Sequence, residues 1–114
     1  MSGRSSRRKG HDFERAVASR LREMFGDDVR RGWQSRDGAD APDVDGTPFW
    51  IECKRGQRTS IYAALRQAED AAWSAGDKRA PVAICKDDGK AATFTMRLDD
   101  ALDLIQEWLE RGER

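Results

Sequence analysis

The sequence contains little cysteine or histidine and no long apolar run. Among its 114 residues are two cysteines, Cys53 and Cys85, and a single histidine, His11. Their positions do not match the Cys-x-x-Cys or Cys/His spacing of a zinc site. Each cysteine lies in an apolar, strand-like run, which predicts a small buried side chain in a reducing compartment and argues against a catalytic thiol. We interpret His11 as a surface or phosphate-contact residue at the start of a helix.

The absence of long apolar runs also excludes several protein classes. No run approaches the roughly 20 residues of a membrane span, and none has the form of the apolar segment of a secretion signal. We therefore expect a soluble, cytoplasmic protein that does not bind membranes. The hydrophobic fraction is 38% and the charged fraction 37%, which indicates one domain with a modest core and much polar surface.

The net charge is zero, but the charges are unevenly distributed. Residues 99–114 carry six acidic residues and two arginines. Residues 1–9 carry no acid, so we predict that they form a flexible basic arm suited to lying along a phosphate backbone. A plain solubilising terminus is the alternative. Residues 10–114 are expected to form a single domain. The basic residues of the arm are Arg4, Arg7, Arg8 and Lys9.

Hydrophobic periodicity predicts three helices and five strands. Apolar residues at helical spacing predict helices over residues 11–25 and 60–75 and a third helix that begins at Leu98. Thr59 or Ser60 can serve as the N-cap of the second helix. Strands are predicted over residues 29–33, 49–54, 81–86 and 91–96, and a further short strand is predicted to end at Asp43. The order αβββαββα predicts an α/β fold with a central mixed five-stranded sheet flanked by helices.

The motif with the clearest chemistry comprises Asp43, which follows Pro42, and the segment Glu52-Cys53-Lys54. Alternation along 49–54 places Glu52 and Lys54 on the same face of a strand. The turn at Asp45-Gly46 can fold the preceding short strand back beside it, bringing Asp43 near Glu52. A solvated charged strand face is the simple alternative for any one of these residues.

Two carboxylates and an amine in this arrangement are suited to phosphodiester hydrolysis with a divalent metal. The carboxylates of Asp43 and Glu52, with the backbone carbonyl of Cys53, are hard oxygen ligands that suit Mg²⁺, and Mn²⁺ is expected to substitute. Lys54 would orient or help deprotonate the attacking water, or stabilise the charge of the transition state.

The same residues also match part of a calcium-binding EF-hand loop. Asp43, Asp45, Gly46 and Glu52 fall at positions 3, 5, 6 and 12 of such a loop beginning at Ala41. Position 1 lacks the expected aspartate, two prolines stiffen the loop, and the glutamate lies in a β-rich run. We therefore interpret this match as accidental.

Residues outside the motif are candidates for the same site. Glu14 flanks the apolar stripe of the first helix and can reach toward a site on the strands, although a surface role is the alternative. The polar loop 34–41 precedes Asp43, and its Ser35 and Arg36 are candidates for phosphate contact. Trp33 is suited either to stacking on a base or to the core. Arg55 and Arg58 form a basic turn after Lys54.

The chain resembles the PD-(D/E)xK nuclease superfamily and, within it, the small Holliday junction resolvases of archaeal and phage type. The resemblance covers about residues 9–95. Two departures stand out, Cys53 in place of an aliphatic residue and a tight, acidic turn at Asp45. The matching segments are Lys9-Gly10, Phe13-Glu14-Arg15, Ser35, Ala41-Pro42-Asp43-Val44, Ile51-Glu52-Cys53-Lys54, Tyr62 and Gln67.

The resemblance implies a restriction-endonuclease-like fold and a homodimer that cuts branched DNA. It implies that Asp43 and Glu52 hold the metal, that Glu14 completes the metal shell and that Lys54 serves the attacking water. Ser35 would lie in a loop that contacts the scissile phosphate. The candidate DNA-binding residues are Arg7, Arg8, Lys9, Ser35, Arg36, Arg55, Arg58 and Gln67.

Three functions remain open at the level of sequence. The leading hypothesis is a Mg²⁺-dependent endonuclease that resolves four-way junctions. A nuclease of the same fold that nicks, restricts or processes phage DNA is the second, and a non-catalytic DNA-binding module is the third. The apolar positions of the last helix, Leu102, Ile105, Trp108 and Leu109, suit either a dimer surface or the core.

Overall fold

A computed structural model describes residues 3–32 and 41–112 as three helices and one five-stranded sheet. The element order is the predicted αβββαββα, which confirms the α/β class. The helices are α1 (Gly3–Phe25), α2 (Ile61–Ala75) and α3 (Leu98–Gly112), and the strands are β1 (Arg30–Arg31), β2 (Val44–Asp45), β3 (Phe49–Gly56), β4 (Ala80–Asp87) and β5 (Thr93–Thr95).

The sheet is mixed, as predicted, and its strands lie in the order β1-β2-β3-β4-β5. β3 and β4 run parallel along their full length, and every other pair is antiparallel. A parallel pair needs a crossover between its strands, and α2 provides it. β3 is therefore the central strand, with neighbours on both edges and helices over both faces.

The two faces of β3 carry the alternation expected from the sequence. Phe49, Ile51 and Cys53 join α1 residues in the main core cluster. Trp50 packs with Ala68 and Ala72 of α2 on the opposite face. Since both faces are covered, all five residues 49–53 are buried, including Glu52.

Local signals set the ends of α2 as predicted. The Ser60 side chain accepts a hydrogen bond from the Ala63 N–H, which makes it the N-cap. At the other end Gly76 adopts the left-handed conformation, with φ of 67°, and its N–H bonds carbonyls of the last turn. These two residues fix the crossover between β3 and β4.

The structure corrects several predicted boundaries. α1 begins at Gly3 and not at His11, because the apolar spacing that revealed the helix starts only at Phe13, and the preceding polar turns carry no such signal. β1 covers only Arg30–Arg31, and β2 begins just after Asp43. The division into a flexible arm and a single domain stays a prediction. Trp33 and the predicted loop residues 34–40 lie outside the described residues.

The last helix stands away from the body of the domain. No residue of α3 is buried against the rest of the described chain, although the helix carries six large apolar side chains. Leu98 is 70% exposed and Trp108 is 69% exposed. The core interpretation of this helix is therefore wrong. None of the three described helices is both long and apolar enough to span a bilayer.

Candidate active site

The short antiparallel contact between β2 and β3 places Asp43 beside the centre of β3. Val44 pairs with Ile51, and the Asp43 N–H donates to the Ile51 carbonyl over 2.7 Å. The Asp43 side chain then turns toward β3, where its Oδ2 accepts a hydrogen bond of 2.8 Å from the Cys53 N–H. The predicted approach of Asp43 to the Glu52-Cys53 segment is present in the structure.

Gly32 holds the segment that carries Asp43 from the other side. Its N–H donates to the Asp43 carbonyl over 2.9 Å. A Cβ atom on residue 32 would overlap the carbonyl oxygen of Pro42, so only glycine allows this approach of the two backbones. The backbone of Asp43 is thus fixed by hydrogen bonds to both neighbouring segments.

Glu52 is a buried acid, with 5% of its surface exposed. Burial is the largest cause that raises its pKa, and the neighbouring Asp43 adds to it by charge repulsion and by hydrogen bonding to the protonated form, so that the pKa is about 8. The Trp50 indole and the Lys54 ammonium oppose this increase in pKa. In the absence of a cation, the two carboxylates therefore cannot both be ionised at low cost.

This electrostatic conflict predicts that Glu52→Gln stabilises the metal-free fold. The folded state holds the Glu52 proton up to about pH 8, whereas the unfolded chain releases it near its usual pKa of about 4.3. Wild-type stability therefore falls as the pH rises through this window, and the variant lacks that loss. In EDTA at pH 8, we expect the melting temperature of the variant to be about 5 °C above that of wild type. At pH 5, the two melting temperatures should be nearly equal.

Thermal melts at both pH values would measure this difference. Added Mg²⁺ provides the internal control, because it should raise the melting temperature of the wild-type protein more than that of the variant. An equal difference between the two proteins at pH 5 and pH 8 would argue against a strained acid pair.

Glu14 of α1 faces the same region from the other helix. Burial raises its pKa, and the nearby Asp43 raises it further, whereas a hydrogen bond from Arg31 lowers it. The Arg31 Nε lies 3.2 Å from the Glu14 Oε1. The sequence interpretation missed this arginine as a partner. Glu14 is therefore held by an ion pair while it lies near Asp43.

These side chains open into a cavity of about 720 Å³. Glu14, Asp43, Glu52, Cys53 and Lys54 line one side, so the structure brings together all of the predicted catalytic and metal-binding residues. The exposed side of α2 forms the opposite wall. Of the α2 residues in this wall, only Gln67 was predicted from the sequence. The other residues recur at intervals of three or four on the side of the helix opposite its apolar stripe, and this spacing could have identified them. The α2 residues are Ala63, Arg66, Gln67, Asp70, Ala71 and Ser74.

The predicted DNA-binding residues are distributed more widely. Arg7, Arg8 and Arg58 are exposed and do not line this cavity. Lys9 and Arg55 each form an ion pair with Asp88 and line a second cavity, described below. Ser35 and Arg36 lie outside the described residues. Gln67 is thus the one described member of this set that the structure places at the carboxylate site.

The thiols at and near the site are not suited to nucleophilic chemistry. Cys53 and Cys85 are both free and buried. Burial raises the pKa of the Cys53 thiol, and the surrounding carboxylates raise it further, so the reactive thiolate is disfavoured. The contribution of Cys53 to the site is its backbone, which fixes Asp43.

The donor set fits a hard divalent cation better than any softer metal. Asp43 and Glu52 provide adjacent carboxylate oxygens whose mutual repulsion a cation would relieve. Within residues 3–32 and 41–112, no three His, Cys, Asp or Glu side chains are grouped closely enough to hold a metal unaided. Such a site suits Mg²⁺, which retains waters and binds substrate oxygens. The EF-hand interpretation is excluded, because Glu52 lies within β3 and is not followed by a helix.

Comparison with known proteins identifies one family. The profile of a family described as "Phage putative PDDEXK endonuclease" matches residues 5–110. This range spans both carboxylate segments, all five strands and most of the three helices. No curated protein and no solved structure matches the chain.

Proposed function

We propose that this chain, which belongs to the family described as "Phage putative PDDEXK endonuclease", is a Mg²⁺-dependent endodeoxyribonuclease. The observation that carries the proposal is the hydrogen bond from the Cys53 N–H to the Asp43 carboxylate. This bond sets Asp43 against the strand from which Glu52 and Lys54 enter the same cavity. A buried glutamate with a raised pKa, beside a half-buried aspartate and a lysine in one cavity, is the arrangement expected of a cation site.

In this proposal, Asp43, Glu52 and the Cys53 carbonyl hold the metal, and Glu14 assists from α1. When bound, Mg²⁺ supplies Lewis-acid stabilisation of the phosphate oxygens and lowers the pKa of a coordinated water. Mn²⁺ is expected to support the same reaction. The ion pair with Arg31 keeps Glu14 at the edge of the site, where it is suited to contact waters of the metal.

Lys54 acts on the reacting phosphate. Its side chain is half-buried and faces the cavity beside Glu52. As an ammonium group it orients the attacking water and stabilises the negative charge that builds on the phosphate oxygens. A water oxygen bonds to phosphorus while the bond from phosphorus to the leaving oxygen breaks. The water proton passes to solvent, and the leaving oxygen takes up a proton.

The α2 wall supplies candidate contacts to the DNA backbone. Arg66 and Gln67 line the cavity opposite the carboxylates, where a cation and an amide can bind phosphate oxygens. Basic residues in the first turns of α1, including Arg7 and Arg8, add positive charge outside the cavity. They are exposed and suited to neutralising phosphates at a distance from the cut.

We propose a four-way DNA junction as the preferred substrate, on the strength of the resemblance to junction resolvases. Two symmetric cuts across a junction require two active sites related by a twofold axis, so this proposal includes a homodimer. A nuclease that nicks or processes other phage DNA is the second candidate, since the carboxylate site itself carries no signal for branched DNA.

Cleavage assays on three substrates separate these functions. A labelled four-way junction, a linear duplex of the same sequence and a single strand would each be incubated with Mg²⁺, with Mn²⁺ and with EDTA. We expect paired cuts in the junction, with both metals and at least about tenfold faster than cuts in the duplex. Equal rates on junction and duplex would favour the second candidate. Binding without cleavage in either metal would favour a non-catalytic module.

A further inference from the structure

The helix α3 presents an apolar face that the described part of its own chain does not cover. Leu98, Ala101, Ile105 and Trp108 recur at alternating intervals of three and four residues, which places them on one side of the helix. Ile105 is 48% exposed and Trp108 is 69% exposed, in a helix that contributes no residue to the described core. An apolar stripe of this size on a soluble domain indicates a contact surface.

The described body of the domain has an open groove of complementary character. This groove, which we call the α1–β5 groove, has a volume of about 920 Å³ and lies between α1 and the β4–β5 hairpin. Met24 at its edge is 75% exposed and Phe94 is 48% exposed. The apolar residues that line the groove include Phe13, Ala16, Val17, Met24, Ala92 and Phe94.

The charges around the two surfaces are opposite in sign. Asp99, Asp103, Glu107 and Glu110 are exposed on α3, which carries Arg111 as its only basic residue. The α1–β5 groove is lined by four basic residues and two acids. Lys9 and Arg55 already pair with Asp88, so Arg20 and Lys86 are the basic residues that we expect to face the acidic helix. An acidic amphipathic helix therefore fits this groove better than it fits a second copy of itself.

The chain cannot easily place its own α3 in its own groove. Only Met96 and Arg97 separate β5 from α3. Arg97 is held by Glu69 of α2 through two hydrogen bonds of 2.8 and 2.9 Å, and its guanidinium lies over the Tyr62 ring. α2 covers one face of the sheet, whereas the groove lies on the α1 face, so Arg97, the last residue before α3, is held on the face opposite the groove.

We propose that α3 of each protomer docks in the α1–β5 groove of a second copy, forming a reciprocal twofold dimer. The exchange covers both apolar surfaces at once and pairs the acidic helix with the basic rim. The described linings of the groove and of the carboxylate cavity have no residue in common, so the proposed docking uses no residue of the carboxylate cavity. This inference identifies the interface of the proposed homodimer and does not depend on nuclease activity.

The mass of the full-length protein in solution tests this proposal through matched variants. Sedimentation velocity should give twice the chain mass of 12.9 kDa. Ile105→Glu on the apolar face of α3 and Ala16→Glu in the groove should each raise the dimer dissociation constant more than tenfold. The controls Gln106→Glu and Ser19→Glu add the same charge at neighbouring exposed positions. They should leave the dimer dissociation constant within about twofold of the wild-type value. Circular dichroism melts would verify that all four variants fold.

A mixture of two variants gives the sharpest result. Ile105→Glu retains an intact groove and Ala16→Glu retains an intact α3, so a mixed dimer regains one of the two contacts. We expect native mass spectrometry to show the heterodimer in excess of either homodimer. A dimer that survives Ala16→Glu would indicate pairing of α3 with α3 and would overturn the proposal. A wild-type protein that is monomeric at about 50 µM would overturn it as well, because a stable dimer forms at concentrations on this order. Because mass is the readout, neither result bears on cleavage.

Discussion

Replacing Glu52 by glutamine is expected to reduce Mg²⁺-dependent DNA cleavage by about 1,000-fold or more. The variant keeps the size and the hydrogen-bonding capacity of the side chain but loses one of the two charges that hold the cation. A 1,000-fold loss corresponds to about 4 kcal/mol of transition-state stabilisation, which is within the range for losing one electrostatic contact to the transition state. Initial rates on a labelled DNA substrate at saturating Mg²⁺ would measure the loss.

The matched control for this change is Asp27→Asn, which removes the same charge from an exposed position in the turn after α1. It should cleave at the wild-type rate. Since Glu52→Gln is also expected to melt higher than wild type in EDTA at pH 8, a loss of activity in that variant cannot be attributed to unfolding. Retention of more than a tenth of the wild-type rate by Glu52→Gln would remove Glu52 from the site.

Replacing Lys54 by methionine is expected to lower the cleavage rate by about 100- to 10,000-fold, the range for a group that acts on a transferred proton or a developing charge. Methionine preserves most of the volume of the side chain in its half-buried position. The change also removes the ammonium that lowers the pKa of Glu52. The variant should therefore need a higher Mg²⁺ concentration or a higher pH for half-maximal activity.

Single-turnover rates across a Mg²⁺ titration separate these two effects of Lys54→Met. The loss at saturating metal reports the catalytic role, and the shifted midpoint reports the change at Glu52. The matched control is Lys78→Met, at an exposed lysine away from the cavity. It should have the wild-type rate at saturating Mg²⁺ and the wild-type midpoint of the titration. A full recovery of the rate at high Mg²⁺ would show that Lys54 serves metal binding and has no direct part in cleavage.

The part of the site that could be predicted from sequence rests on short-range periodicity. Alternation along β3 correctly placed Glu52 and Lys54 on one face, because side-chain direction in a strand depends only on position. The turn at Asp45-Gly46 correctly predicted that Asp43 returns to β3. In both cases the determining interactions lie within about ten residues of each other.

The parts that could not be predicted depend on contacts distant in sequence. Arg31 pairs with Glu14, 17 residues away, and nothing in the local pattern of either residue indicates the other. Arg66 reaches the cavity only because α2 crosses the sheet at one position and angle. The raised pKa of Glu52 likewise results mainly from its burial in the folded domain, which the sequence of β3 alone does not reveal.

The last helix shows a different limit. Its spacing predicted an amphipathic helix correctly, but periodicity gives only the existence of an apolar face and not its partner. The sequence left the core and a dimer surface as alternatives for Ile105 and Trp108. The position of Arg97, fixed on the α2 side by Glu69, is what separates α3 from the core of its own chain.

The central claim is that Asp43, Glu52 and Lys54 form a metal-dependent phosphodiesterase site. Its most direct test is the conversion of supercoiled plasmid to nicked and linear forms by the purified protein as Mg²⁺ is titrated in and then removed with EDTA. We predict cleavage that rises with Mg²⁺, stops in EDTA, returns when Mg²⁺ is restored, and is absent throughout from Glu52→Gln. Cleavage that continues in EDTA, or that Glu52→Gln performs as fast as wild type, would contradict the account.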